Sequence, residues 1–225
     1  MNGRKNAIIN GLFLLITLAV NTLGALGLIN GLSQKEISDM YVTLITPSPL
    51  TFSIWSLIYL LLIISMLVMI VKKEDLYYQS AINEISTLFR IICILNIAWI
   101  VAFSVVLVEL SSLFIIAFVI ALTMLCAKLE KIQTGKQFLL PLSFGLYAGW
   151  LFIATVVNIA AALVKLQWNG FGIATEMWAV FTLIIAVILV IFVVRNIHNA
   201  AFPLPIAWAF FGINQFLKSP EGFNG

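Results

Sequence analysis

The stretch that decides the fold is residues 177–194, MWAVFTLIIAVILVIFVV, which contains eighteen residues and no charge. A transmembrane helix needs about 20 predominantly apolar residues to cross the hydrocarbon core of a bilayer. This run approaches that length, and it is much longer than the usual β-strand of globular proteins. It therefore predicts a helix that spans a membrane.

The composition of the whole chain supports the same conclusion. Hydrophobic residues make up 63% of the 225 residues, charged residues only 9%, and the mean hydropathy is +1.14. Soluble domains keep about a quarter of their residues charged. The apolar runs are continuous rather than alternating, which disfavours a membrane β-barrel. We expect an integral membrane protein in contact with the lipid bilayer.

Charged residues divide the chain into seven apolar segments. The predicted helices lie near residues 8–30, 50–71, 85–108, 110–127, 138–164, 173–194 and 201–217. The last segment is short and contains Pro203 and Pro205, which a helix tolerates best near its start. The sequence thus predicts an all-α bundle of about seven transmembrane helices, with an interfacial or re-entrant last segment as the alternative.

Lysine and arginine residues predict the orientation, because cytoplasmic loops of membrane proteins carry an excess of them. With a cytoplasmic N-terminus and an odd number of spans, nine of the twelve lie on or near the inner side. These nine are Arg4, Lys5, Lys72, Lys73, Arg90, Lys128, Lys131, Lys136 and Arg195, and the outer three are Lys35, Lys165 and Lys218. We expect a bacterial plasma membrane, with the C-terminus outside and a frayed tail from Lys218 onward.

Residues that carry the chemistry of soluble enzymes are few. The single histidine, His198, is expected in a solvated loop without a carboxylate or cysteine beside it, and Cys93 and Cys126 are expected to be buried free thiols. No zinc spacing, phosphate-binding glycine loop or nucleophile elbow is present in the sequence. We expect no catalytic residues, no metal and no required cofactor. The net charge of +3 suits anionic lipid and requires no nucleic-acid partner.

Aromatic and amide side chains recur at helical spacing on three predicted helices. Each of the three stripes would lie on one helix face. The stripes are Phe52, Trp55 and Tyr59, then Asn96, Trp99 and Phe103, and finally Trp150, Ala154 and Asn158. They could line a cavity that stacks a flat apolar ligand and hydrogen-bonds its polar edge. Interfacial aromatics and helix-to-helix bonds of asparagine are the alternative explanation.

Small residues predict close packing of helices at two places. Gly27 and Gly31 end the first helix, and Gly145 and Gly149 lie in the fifth, each pair with the spacing that allows two helix backbones to approach closely. The pairs serve either the bundle interior or a dimer.

Three segments of the chain resemble the TspO/MBR family, the tryptophan-rich sensory proteins related to the mitochondrial translocator protein. The first is residues 46–59, TPSPLTFSIWSLIY, which is similar to the proline-containing loop and second helix of that family. The others are residues 95–99, LNIAW, similar to its third-helix Asn-x-x-Trp, and residues 150–158, WLFIATVVN, similar to its fifth helix. The chain would then divide into a five-helix core at 1–165 and two additional helices with a short tail at 166–225.

The resemblance implies a bundle that binds a tetrapyrrole or another flat hydrophobic small molecule between helices, often as a homodimer. It places Trp55, Tyr59, Asn96, Trp99, Trp150, Ala154 and Asn158 at or near that pocket, beside Phe103 from the stripe analysis. Three functions stay open: a binding or sensory protein, a transporter of a small or lipophilic solute, and a structural or regulatory subunit without a ligand. A cavity between the second, third and fifth helices would separate the first from the last.

Overall fold

The computed structural model of the protein describes residues 3–72, 74–132, 135 and 137–219, and its regular secondary structure within these ranges is entirely helical. The α-helices, in chain order, are α1 Gly3–Ala25, α2 Gln34–Asp39, α3 Ile54–Val71, α4 Leu76–Ser104, α5 Val108–Glu130, α6 Leu139–Lys165, α7 Thr175–Ile197 and α8 Pro203–Leu217. Short 3-10 helices lie at Pro49–Ser53 and Gly170–Gly172. The predicted all-α fold is confirmed.

Six of the described helices are long and apolar enough to cross a membrane, rather than the seven predicted. The predicted seventh segment forms α8, which has 15 residues and is shorter than the length of about 20 that a span needs. Residues 199–202 before it are not helical, because α7 is followed by His198 in a left-handed conformation with φ of 50° and the chain turns there before α8 begins. The membrane bundle therefore consists of six long helices and one short helix packed beside them.

One helix boundary differs strongly from the prediction. α4 begins at Leu76 instead of 85, because the Asp75 carboxylate caps it by accepting from the Tyr77 and Tyr78 amides at 2.9 and 3.3 Å. Its 29 residues extend for about 43 Å, which exceeds the hydrocarbon core of a bilayer by about two turns. The first turns of α4 include polar residues, so the apolar run that predicts this helix begins later than the helix itself. The other predicted boundaries of the long helices lie within about five residues of the structure.

Contacts between helices define the topology. Asn10 of α1 bonds Ser86 of α4, and Gly24 farther along α1 lies beside Ser104 farther along α4, so these two helices run parallel. Ser65 and Ser143 share a hydrogen bond of 2.9 Å, and Cys126 donates to the Phe144 carbonyl, which makes α3 and α5 antiparallel to α6. We call the side where α1 begins the N-terminal end, and the opposite side, where the long loop 26–53 lies, the cavity end.

The alternation of helices groups the described basic residues as the positive-inside argument requires. Lys72, Lys128 and Arg195 lie at or next to the ends of α3, α5 and α7, all at the N-terminal end. Lys35 and Lys165 lie at the cavity end. Lys73 and Lys136, counted in the same argument, lie outside the described residues, as do residues 220–225 of the tail. The orientation of the bundle in the membrane stays a prediction.

The two glycine pairs have different roles. A Cβ atom at Gly149 would overlap the Phe202 carbonyl oxygen, and one at Gly145 would overlap the Asn199 side chain. The absence of side chains at these two positions therefore allows the segment before α8 to pack directly on α6. Gly27 and Gly31 lie beyond the end of α1 with φ of 71° and 76°, a conformation that favours glycine. Their predicted role in helix packing is wrong, because they form turns.

The cysteine prediction is confirmed and the histidine prediction needs one correction. Cys93 and Cys126 are buried free thiols. His198 is exposed, but its Nδ1 atom lies 2.8 Å from the Glu130 carboxylate at the end of α5. Sequence neighbours could not show this partner, because the packing of α7 against α5 brings the two residues together.

Candidate functional site

A cavity of about 580 Å³ lies at the cavity end, beneath the loop 26–53. It is enclosed by α3, α4 and α6, which are the second, third and fifth of the predicted helices. It lies where the three predicted stripes meet. Six of the eight predicted site residues line it, namely Trp55, Trp99, Phe103, Trp150, Ala154 and Asn158. Most of its lining surface is apolar, and this combination of size and lining is typical of pockets for drug-sized ligands.

Aromatic rings form the floor of the cavity around Trp55. The Trp55 ring lies 6.2 Å from that of Trp99 and 6.1 Å from that of Trp150, with interplanar angles of 33° and 87°. Phe52 meets Trp150 edge to face at 5.8 Å. These separations match those of favourable aromatic pairs, so the rings hold one another in place. The result is a set of flat, fixed surfaces at several angles.

Asn158 fixes one of these rings through a buried polar network. The Trp99 indole Nε1 donates to Asn158 Oδ1 at 2.9 Å. The Asn158 amide donates in turn to Ser112 Oγ at 2.8 Å and to Ser111 Oγ at 3.0 Å. Asn158 thereby links α4, α5 and α6 at the wall of the cavity. It bonds neighbouring helices and also lines the cavity, so the two explanations given for the stripes, helix packing and a ligand cavity, both apply to this residue.

Tyr59 and Asn96, the remaining predicted residues, lie behind the floor instead of in the lining. Asn96 is fully buried and donates to the Tyr147 hydroxyl at 2.9 Å. The Tyr59 hydroxyl donates to Asn21 Oδ1 at 2.7 Å, and the Tyr59 ring stacks on Trp55 at 5.1 Å. These residues support Trp55 from below, so their contribution to a ligand site is indirect.

Trp150 carries a buried indole N–H that lacks a partner among the described residues. The side chain is 1% exposed to solvent, and its Nε1 atom is buried without a hydrogen bond. A buried donor left unpaired is unfavourable by about 1–3 kcal/mol. Gln34 Nε2, in the loop above, is a second buried donor without a partner among the same residues. Neither atom is reached by solvent in this structure, so an acceptor on a bound molecule would pair with either group only after its side chain moves.

The loop that covers the cavity was missed as a source of site residues. Its helix α2 begins with a capping box, in which the Ser33 hydroxyl bonds the Glu36 amide while the Glu36 carboxylate accepts from the Ser33 amide at 2.7 Å. The hydrogen bonds from Ser33 hold the pKa of Glu36 below its ordinary value. Gln34, Lys35, Ser38 and Asp39 from α2 line the mouth, with an ion pair between Lys35 and Asp39. The spacing of serine and glutamate was the available signal for this helix.

Helix α8 fastens the other half of this loop. The Trp208 indole donates to the Thr51 carbonyl at 3.0 Å, and the Ser48 amide donates to the Gly212 carbonyl at 3.1 Å. Thr51 packs so closely on α8 that a Cβ atom at Gly212 would overlap its side chain. Phe216 from the same helix lines the cavity. The short C-terminal helix is therefore part of the site.

The comparison with protein families agrees with this arrangement. A family model described as TSPO-like protein matches residues 7–220, which is most of the chain. The chain belongs to the TSPO-like protein family. The match includes α7 and α8 of this TSPO-like protein as well as α2 to α6 and all but the first residues of α1. No significant match was found among curated proteins or among solved structures.

Proposed function

We propose that this TSPO-like protein binds a flat, largely apolar small molecule, such as a tetrapyrrole, in the aromatic cavity, and that it senses or translocates that molecule. The observation that carries the proposal is the cavity itself, with its volume of about 580 Å³ at the meeting point of three aromatic stripes. Fixed rings at several angles suit a planar apolar body, because aromatic surfaces attract one another when stacked or edge to face.

The polar groups suit the edge of such a molecule. An acceptor on the ligand would pair with the Trp150 N–H once the indole turns toward the cavity, and polar substituents would lie at the mouth among Gln34, Lys35 and Asp39. Burial of the ligand between rings would supply most of the affinity, and these few polar groups would fix its orientation. The protein would act by binding, with no bond made or broken.

The cavity also favours binding over a purely structural role. A subunit whose aromatic residues only pack would leave no space between α3, α4 and α6, the helices that carry the three stripes. The unpaired indole of Trp150 supports the same preference, since a packing role would be expected to satisfy it.

An absorbance titration of the detergent-purified protein with protoporphyrin IX tests the proposal. Trp150→Phe keeps an aromatic ring and removes the N–H, so we expect saturable binding by the native protein and affinity about two- to tenfold lower in the variant. Trp168→Phe is the matched control, because Trp168 packs on Trp178 outside the cavity lining. Absence of saturable binding by the native protein would contradict the function, and equal affinities would contradict the role of Trp150.

We also propose that the N-terminus is cytoplasmic, so that the cavity end faces outward. The positions of Lys72, Lys128 and Arg195 at the N-terminal end support this orientation. Single cysteines at Leu28 and Lys131, placed at opposite ends in a background without Cys93 and Cys126, would be labelled in intact cells by a membrane-impermeant thiol reagent. We expect labelling at position 28 alone, and the reverse pattern would overturn the orientation.

A further inference from the structure

A polar cluster at the N-terminal end, far from the cavity, holds an arginine between α1 and α4. The Arg90 Nε atom donates to Asn10 Oδ1 at 3.0 Å, and its Nη2 atom donates to Asn6 Oδ1 at 2.8 Å. Asn10 is fully buried, and its amide is fixed by a bond of 2.9 Å to Ser86 Oγ. Two asparagines thus hold the guanidinium in one position.

The charge of this arginine is not balanced within the described part of the chain. Both of its hydrogen-bond partners are neutral amides, and no carboxylate of the described residues forms an ion pair with it. Glu84, six residues earlier on α4, pairs instead with Lys128 at 3.2 Å. Arginine stays charged in proteins and has five N–H donors, so donors remain after the two asparagine bonds. A half-buried cation in a membrane helix is unfavourable unless an anion approaches it.

The position of Arg90 is where a lipid headgroup would lie. Asn6 is in the first turns of α1, and Gly11 is beside Ile70, the next-to-last residue of α3, so the cluster is close to the end of both helices. Arg4 and Lys5 immediately precede Asn6 and are exposed. Basic pockets between transmembrane helices on the cytoplasmic side are typical sites for anionic headgroups.

The surface next to Arg90 suits the acyl part of the same molecule. Ile91 and Ile94 follow on α4 toward the middle of the bundle, and their side chains are 42% and 55% exposed. An acyl chain lying on them would leave the phosphate at the level of Arg90. A free phosphate ion would make no use of this apolar surface.

We propose that Arg90, oriented by Asn6 and Asn10, binds the phosphate of an anionic phospholipid. The remaining guanidinium donors bond the phosphate oxygens, Arg4 and Lys5 add positive charge at the rim, and the acyl chain lies over Ile91 and Ile94. This site is separate from the cavity, so either can exist without the other.

Native mass spectrometry of the detergent-purified full-length chain, with dioleoyl phosphatidylglycerol or dioleoyl phosphatidylcholine added, tests this site. We expect the native protein to retain phosphatidylglycerol preferentially and Arg90→Gln to retain about fivefold less of it. Arg195→Gln is the matched control, because Arg195 is an exposed arginine at the same end and lies on α7. Its lipid retention should equal that of the native protein.

Two further variants keep the test decisive if Arg90→Gln does not fold. Asn6→Ala keeps the charge and removes one of the two bonds that orient it, so retention should fall by about twofold, and Arg90→Lys should fall between the native protein and Arg90→Gln. Equal retention of phosphatidylglycerol by all variants, or equal retention of both lipids by the native protein, would overturn the proposal. Displacement of the lipid by inorganic phosphate at millimolar concentration would assign the site to a free anion and overturn the lipid assignment.

Discussion

Helices α6 and α7 follow one another in the chain and are similar in length. Helix α6 is mostly buried inside the bundle, whereas α7 lies almost entirely on its surface. The most apolar stretch of α7 has a mean hydropathy of 3.1 and only 6% of it is buried, whereas that of α6 has a hydropathy of 1.9 and 56% buried. In a bilayer, apolar side chains have no reason to avoid the surface, and close packing and polar contacts hold the interior together. The less apolar helix is therefore the central one, and it carries Trp150, Ala154 and Asn158.

The largest expected effect on stability comes from a substitution where the backbone of α6 is in close contact with another segment. Gly149→Ala forces a methyl group against the Phe202 carbonyl, so we expect a loss of about 3 kcal/mol in the free energy of unfolding. Ile188→Ala on α7, where the side chain is 58% exposed, should change it by less than about 0.5 kcal/mol. Denaturation of both variants in the same detergent measures the difference. Equal losses would show that α6 is no more central than α7.

An amide on each helix gives a second, smaller contrast. Asn158→Ala removes the partner of the Trp99 indole and of two serines, so we expect a loss of about 1–2 kcal/mol in stability. Within the described residues the Asn196 amide bonds only the Phe192 carbonyl of its own helix, so Asn196→Ala should be nearly silent. The same unfolding measurement serves, and a silent Asn158→Ala would break the contrast between interior and lipid-facing helices.

The smallest expected effect concerns the loop 26–53, which covers the cavity and belongs to neither α6 nor α7. Ser33→Ala removes the capping box of α2, which should weaken that helix by about 1 kcal/mol and speed its amide exchange about fivefold. Hydrogen exchange followed by mass spectrometry would measure it over residues 34–39. Exchange as slow as in the native protein would mean that the loop is held by α8 contacts alone.

The pH dependence of the same loop follows from Glu36. Because its pKa is lowered in the folded loop, its contribution to stability is present above the ordinary glutamate value and is lost as the pH falls through the lowered one. We expect intrinsically corrected exchange in α2 to rise in that acidic range and to stay constant above it. Exchange in Ser33→Ala should show a weaker dependence, since the bonds that lower the pKa are gone.

The sequence predicted the helices of the bundle and six of the residues that line the cavity, because both depend on local patterns. An apolar run indicates a span, and a spacing of three or four residues places Trp150, Ala154 and Asn158 on one face whatever the rest of the fold. The covering loop was not predictable in this way, since its position depends on distant contacts such as that of Trp208 with Thr51. The Arg90 cluster likewise requires the parallel packing of α1 against α4, which no spacing within one helix reveals.

The most direct test of the central claim is to fill the cavity and measure ligand binding. Ala154→Trp places a large ring among the lining residues, while Ile159→Trp adds the same ring on α6 at a side chain that is 36% exposed. We expect protoporphyrin IX to bind saturably to the native protein and to Ile159→Trp, and we expect Ala154→Trp to lose this binding while it still unfolds cooperatively. Undiminished binding by a folded Ala154→Trp protein would contradict the claim that the aromatic cavity is the ligand site.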